Sequence, residues 1–270
     1  MIEQDSPPVV MTFAGVDSTG GAGIQADIES LASIGCHAAP VVTAITIQDT
    51  QNVKSYAAIE ANLVIEQART VLEDMSVAAF KIGMLGSVEN VEAIHTVLMD
   101  YADIPVVLDP ILLAGGGGML ADEDLIDAMV NLLFPLTTVL TPNSREARAL
   151  SPEADSLDAC AQELLEGGCQ YVLITGTHER TIEVINTLYG NRRQLESYAW
   201  ERLPNSYHGS GCTLAAAIAG LLAHELDPVV AVHEAQDFTW HSLKYGYRVG
   251  MGQHLPNRLF WAQNEEDATP

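Results

Sequence analysis

Short apolar runs rich in β-branched residues alternate along the chain with amphipathic stretches. The runs at residues 9–14, 37–46, 78–82, 106–108, 138–141 and 171–175 read as strands. Between them, residues 24–34, 62–74, 88–101, 123–133, 144–150 and 157–167 carry apolar positions at helical spacing, several closed by Gly or Pro. This alternation predicts a mostly parallel sheet, and the lack of strict apolar–polar alternation in the strands predicts helices on both of its faces. The rhythm breaks at 181–202, a polar and aromatic stretch with a turn at Gly190-Asn191, which predicts an antiparallel hairpin near a sheet edge. Residues 213–224 and 229–245 then read as two further helices, the first strongly apolar. No internal repeat, low-complexity segment or linker interrupts the pattern. Residues 1–270 are expected to form one domain, with loose ends at 1–8 and 264–270.

Charge narrows the choice of partners. Thirty-six acidic residues against 12 basic ones give a formal net charge of −24, which repels phosphate backbones and argues against nucleic-acid binding. No uncharged apolar run reaches the length of a membrane span, and the N-terminus lacks a basic n-region, so neither membrane nor export is expected. Cys36, Cys160, Cys169 and Cys212 show no metal-ligand pairing, which fits a reducing cytoplasm. With so few lysines, any polyanionic ligand has to be held by backbone amides and metal ions.

The segment His208-Gly209-Ser210-Gly211-Cys212-Thr213-Leu214 runs straight into the apolar helix. Glycines there let successive N–H groups face a ligand closely, and the helix N-terminus adds positive potential, so Gly209, Ser210, Gly211 and Cys212 read as an anion hole. In the first helical turn Cys212 is expected to have a thiol pKa below the usual value of about 8.5, suiting a base or polar anchor. The competing reading is a plain turn with a small buried cysteine. A second glycine cluster, Gly15 to Asp27, follows the first strand but matches neither nucleotide fingerprint. Asp109 and the Asn143-Ser144-Arg145-Glu146 segment put carboxylates at two strand ends, where they suit Mg²⁺, although Asn143 with Glu146 three residues on reads equally as a capping box. Met84, after Lys81-Ile82-Gly83, reads as core. The histidines lack metal spacing and no G-x-S-x-G occurs.

Taken in order, Ala14 to Asp27, Thr43-Ala44-Ile45-Thr46-Ile47-Gln48-Asp49-Thr50, Lys81-Ile82-Gly83-Met84-Leu85, Asp109-Pro110, Leu140-Thr141-Pro142-Asn143-Ser144-Arg145-Glu146-Ala147 and His208 to Leu214 closely resemble the hydroxymethylpyrimidine/phosphomethylpyrimidine kinases of thiamine biosynthesis. The resemblance runs from about Met11 to Gly252. It implies a ribokinase-like, three-layer α/β/α fold and two successive phosphorylations of 4-amino-5-hydroxymethyl-2-methylpyrimidine, each using ATP and Mg²⁺. It implies that Gly15, Asp27, Thr46, Gln48 and Met84 line the pyrimidine pocket, and that Gly209 to Cys212 form the hole for the transferred phosphate. Asp109, Asn143, Glu146, Thr175 and Gly176 would face ATP, with Asp109 and Glu146 organising Mg²⁺. A homodimer is the assembly it suggests.

Two departures from the family pattern remove cations and predict weakened ATP binding. Thr175-Gly176-Thr177-His178 stands where the family usually has Lys-Gly-Gly-His, and Ala114 to Gly118 where it has Ala-Lys-Ser-Gly. A pyridoxal or pyridoxine kinase of the same fold is the alternative enzyme. A non-catalytic binder of thiamine precursors is the alternative of another class.

Overall fold

The structure is a computed structural model that describes residues 6–112 and 120–262. The Ala114 to Gly118 segment and the outermost parts of both ends lie outside them. In chain order the elements are β1 (Val9–Val16), α1 (Gly23–Ser33), β2 (His37–Gln48), β3 (Val53–Ala58), α2 (Ala61–Leu72), β4 (Val77–Ile82), α3 (Val88–Met99), β5 (Val106–Leu108), α4 (Glu123–Ala128), β6 (Val139–Leu140), α5 (Ser144–Leu150), α6 (Leu157–Glu166), β7 (Tyr171–Ile174), β8 (Val184–Gly190), β9 (Arg193–Trp200), α7 (Ser210–Ala223) and α8 (Pro228–Lys244).

The strands form one sheet in the order β3-β2-β1-β4-β5-β6-β7-β8-β9. Its centre, β2 to β7, is parallel, while β3, β8 and β9 add antiparallel at the edges. Strand side chains alternate between two cores, which makes three layers. Met11, Phe80 and Leu108 point to the side covered by α2, α3 and α6, whereas Val10, Ala79 and Val107 point to the side covered by α1, α7 and α8. Helix α7 is buried almost all round, and its small residues Ala215 to Ala217, Ala219 and Gly220 let it lie close to sheet and neighbouring helices.

The edge hairpin expected at 181–202 is β8–β9. Strand β3 was not anticipated, because it is exposed nearly throughout and shows no buried face to read. The helix expected over 123–133 stops at Ala128 and continues as a π turn, Met129–Leu133, then a 3₁₀ turn, Phe134–Leu136, where Pro135 has no N–H to extend an α-helix.

Chain order moves to opposite sides of β1, since β2 lies on one flank and β4 on the other. The crevice outside the carboxyl end of β1 is therefore the place where an open α/β sheet takes ligands. Directly beneath it, Lys81 of β4 reaches Asp27 of α1 at 2.9 Å with both side chains fully buried. Lys81→Met should destabilise the chain by about 3–5 kcal/mol, because it strands the Asp27 charge, and adding Asp27→Leu should recover most of the loss. Urea unfolding of the single and double variants checks this, and equal losses in both would contradict it.

Candidate active site

A cavity of about 590 Å³ opens at the carboxyl ends of the parallel strands. Gly15, Thr46, Gln48 and Met84 line one end of it, and Asp109, Asn143, Glu146, Thr175 and the Gly209 to Cys212 turn line its middle. Two residues expected at the site do not line it. Asp27 is buried beneath the floor as the partner of Lys81, so its carboxylate serves that cation instead of facing the pocket. Gly176 lies behind the wall: its N–H donates to Asn186 Oδ1 at 3.0 Å, and a Cβ there would overlap the Ile185 carbonyl.

The Gly209 to Cys212 turn is shaped by contact with the first glycine-rich loop. Gly209 caps α7 with φ +89°, a left-handed conformation, and a Cβ on it would overlap the carbonyl oxygen of Gly21. Two side chains pin the turns together. Asp17 accepts from Thr19 N and Ala22 N at 2.8 Å each, folding its own loop, and its Oδ2 lies 2.8 Å from His208 Nε2. Arg258 donates to the Gly21 carbonyl and, at 2.9 Å, to Thr213 Oγ1. The first amides of α7 have no intrahelical acceptors, so they are left to serve an anion in the cavity.

Acid groups meet opposite the turn. Burial pushes the Asp109 carboxyl up to about 6, against the pull of Lys81. Glu146 is pushed up to about 8, first by burial and then by the charge of Asp109. Two buried carboxyls, the charge of one raising the pKa of the other, suit a divalent cation, although no group of three ligating side chains occurs among the described residues. Asn143 and Glu146 do form a capping box: Asn143 Oδ1 accepts from Arg145 N and Glu146 N, and Glu146 Oε2 accepts from Asn143 N at 2.9 Å. The cap engages one Glu146 oxygen and the Asn143 carbonyl, so it shares these residues with the cavity.

Cys212 departs from expectation. Burial raises its thiol to about 11, outweighing Lys81 and the Gly23 amide, which favour the thiolate, while Asp109 opposes them. The helix N-terminus does not compensate for the lost solvation, and near neutral pH Cys212 is a thiol. Burial works against the charge on Lys81, but Asp27 first and then Asp109 keep it protonated. A cation therefore lies at the floor of a site expected to manage without lysine. Its signal was available: a lysine inside an apolar strand has to be paired.

The two ends of the cavity differ. Val53, Met84, Ile111 and Leu120 give the first an apolar wall, beside which Thr46 Oγ1 donates to Val16 O at 2.8 Å and accepts from Gln48 Nε2 at 2.7 Å. The Gln48 amide oxygen has no protein donor among the described residues. At the far end Trp200 and Trp240 stack with centroids 6.4 Å apart, and Gln236 Oε1 accepts from both Asn186 and Trp200. Sequence reading missed this second lobe, whose residues come from β8, β9 and α8 and carry no local motif. It also missed Arg145 and Arg202 at the wall. Arg202 is occupied by the carbonyls of Thr177, Glu179 and Thr181 at 2.8–3.0 Å, whereas Arg145 is exposed and lowers His178 together with burial, the larger cause.

Known proteins match the chain over most of its length. The family model for phosphomethylpyrimidine kinase matches residues 17–257. A hydroxymethylpyrimidine/phosphomethylpyrimidine kinase of Mycobacterium tuberculosis is 36% identical over 261 residues, covering 94% of this chain and 95% of that one. Among solved structures, the ADP complex of Bacillus subtilis pyridoxal kinase superposes with a TM-score of 0.87 at 28% identity, covering 96% of this chain and all of the other. Phosphomethylpyrimidine kinase from Clostridium difficile gives 0.74 at 30% identity, covering 86% and 97%. Sheet order, cavity and structural likeness define a ribokinase-like phosphotransferase for small molecules. The chain belongs to the phosphomethylpyrimidine kinase family.

The raised Glu146 pKa has a sign that can be measured. The ordinary value is 4.5 and the folded value about 8, so the folded chain keeps a proton that the unfolded chain releases between them. This contribution to stability is full below pH 4.5 and is lost as pH rises through about 8, with a slope of up to about 1.4 kcal/mol per pH unit. In metal-free buffer Glu146→Gln should flatten the fall in urea-unfolding stability between about pH 5 and about pH 8; an unaltered slope would contradict the assignment.

Proposed function

We propose that the chain transfers the γ-phosphate of ATP to 4-amino-5-hydroxymethyl-2-methylpyrimidine and then to the resulting monophosphate, as a kinase of thiamine biosynthesis. The observation that carries the reading is the continuity of one cavity, in which an apolar ring lobe opens onto the α7 amides and a tryptophan-walled lobe lies beyond them. In the first lobe a flat ring would lie among Met84, Val53, Ile111 and Leu120. The Gln48 amide oxygen, left open by the Thr46 contact, suits the exocyclic amine of an aminopyrimidine. In the second, Asn186 and Gln236 satisfy one another and leave an apolar slot suited to a nucleotide base.

Between the lobes the protein supplies position and charge. The amides of Ser210, Gly211 and Cys212 face the transferred phosphate from the positive end of α7, where a loose phosphoryl transition state needs charge neutralisation and alignment more than covalent help. Asp109 and Glu146 would hold Mg²⁺, through water and phosphate oxygens because only two carboxylates are at hand. When bound, that cation screens the charge on the phosphates. Arg145, exposed at the rim without a carboxylate partner among the described residues, would meet phosphate oxygens where a lysine is missing at Thr175. Cys212, a thiol near neutral pH, orients the hydroxymethyl oxygen of the first substrate. The second acceptor is already an anion and needs this less. A cytoplasmic homodimer is the setting this reading carries.

One observation favours a second reading: the superposition is closer on pyridoxal kinase than on phosphomethylpyrimidine kinase. A coupled ADP-release assay with each acceptor separates them. The aminopyrimidine should give the higher kcat/KM, and faster turnover of pyridoxal would reverse the assignment. In the same assay Cys212→Ala should slow the alcohol step by about 10²-fold and the phosphate step by less than about tenfold. Equal losses in both steps would remove the proposed role of the thiol.

A further inference from the structure

Arg258 is the largest fully buried side chain among the described residues, and it arrives from the C-terminal segment, far in sequence from the groups it bonds. Its guanidinium spreads three bonds over three elements. Nη2 donates to the Gly21 carbonyl in the loop after β1, Nη1 meets Glu29 Oε2 of α1 at 2.9 Å, and Nε donates to Thr213 Oγ1 of α7 at 2.9 Å. Thr213 passes the constraint on, because its hydroxyl donates to the Gly209 carbonyl at 2.8 Å. The segment that presents Arg258 is itself tied down: Leu255 and Tyr247 exchange backbone bonds, and Asn257 N donates to Ser242 O of α8 at 2.8 Å.

We propose that Arg258 is a positioning residue that sets the loop beside the acceptor lobe in register with the turn that faces the transferred phosphate. The two backbone carbonyls it controls, Gly21 directly and Gly209 through Thr213, belong to the segments in van der Waals contact at the heart of the site. A planar fork with separate N–H directions can reach three acceptors at once, which a lysine cannot reproduce. The guanidinium touches neither ligand lobe, so it acts through the backbone it holds. Relaxing that backbone changes the distance between acceptor oxygen and phosphate, to which transfer is far more sensitive than binding.

The inference rests on the kinase reading of this cavity, and wild-type enzyme in the same experiment reports on that reading separately. Arg258→Lys and Thr213→Val are assayed for kcat and KM with both substrates, for binding of the non-transferable analogue AMP-PCP by calorimetry, and for thermal unfolding. Thr213→Val keeps the guanidinium and its other two bonds, so it remains informative if replacing Arg258 prevents folding. The expected result is a kcat per folded molecule lowered by about 10–100-fold, with KM and analogue affinity within about threefold of wild type. The double variant should be no slower than the slower single one, since both break one chain of contacts. A lowered unfolding temperature with kcat unchanged would make Arg258 a purely structural residue and overturn the proposal. Loss of AMP-PCP binding with kcat retained at saturation would overturn it too. An inactive wild-type enzyme would instead strike the kinase reading.

Discussion

Gly209 and Gly21 meet backbone against backbone, and the active site depends on that contact. A side chain on Gly209 would have to occupy the space of the Gly21 carbonyl, and its left-handed conformation already disfavours one. The contact brings the loop after β1, which borders the ring lobe, against the start of α7, whose amides face the middle of the cavity. In a chain with three acidic residues for each basic one, such amides are the phosphate ligands that do not require cations. His208 with Asp17 and Arg258 with Gly21 and Thr213 hold the contact from two sides.

Electrostatics around the turn is balanced by burial. Lys81 is the one lysine at the cavity among the described residues, and it is committed to Asp27, so its positive field reaches Cys212 and Asp109 from below. That field does not turn the buried cysteine into a thiolate. Burial raises the carboxyls of both Asp109 and Glu146, and Glu146, next to the Asp109 charge, keeps its proton into the neutral range.

Much of this was legible in the chain. The apolar runs located the six strands of the parallel centre to within a few residues, because burial on both faces leaves a continuous signal. The glycine-rich blocks marked the strand-end loops that line the cavity. What stayed hidden came from contacts remote in sequence or from elements without a buried face. Strand β3 is exposed, Arg258 meets Gly21 across 237 positions, and the tryptophan-walled lobe is assembled from a hairpin and a later helix. Asp27 was misplaced because its segment lines the pocket while its side chain turns the other way, toward Lys81. The Cys212 expectation weighed the helix field without knowing the depth of burial.

In the proposed reaction the α7 amides hold the transferred phosphate. Amide chemical shifts of Ser210, Gly211 and Cys212, followed during titration with Mg²⁺ and AMP-PCP and separately with Mg²⁺ and AMP, test it most directly. Large shifts are expected at these three amides with AMP-PCP and small ones with AMP, since only the former carries a phosphate in the γ position. Equal shifts with both ligands, or shifts confined to the tryptophan-walled lobe, would contradict it.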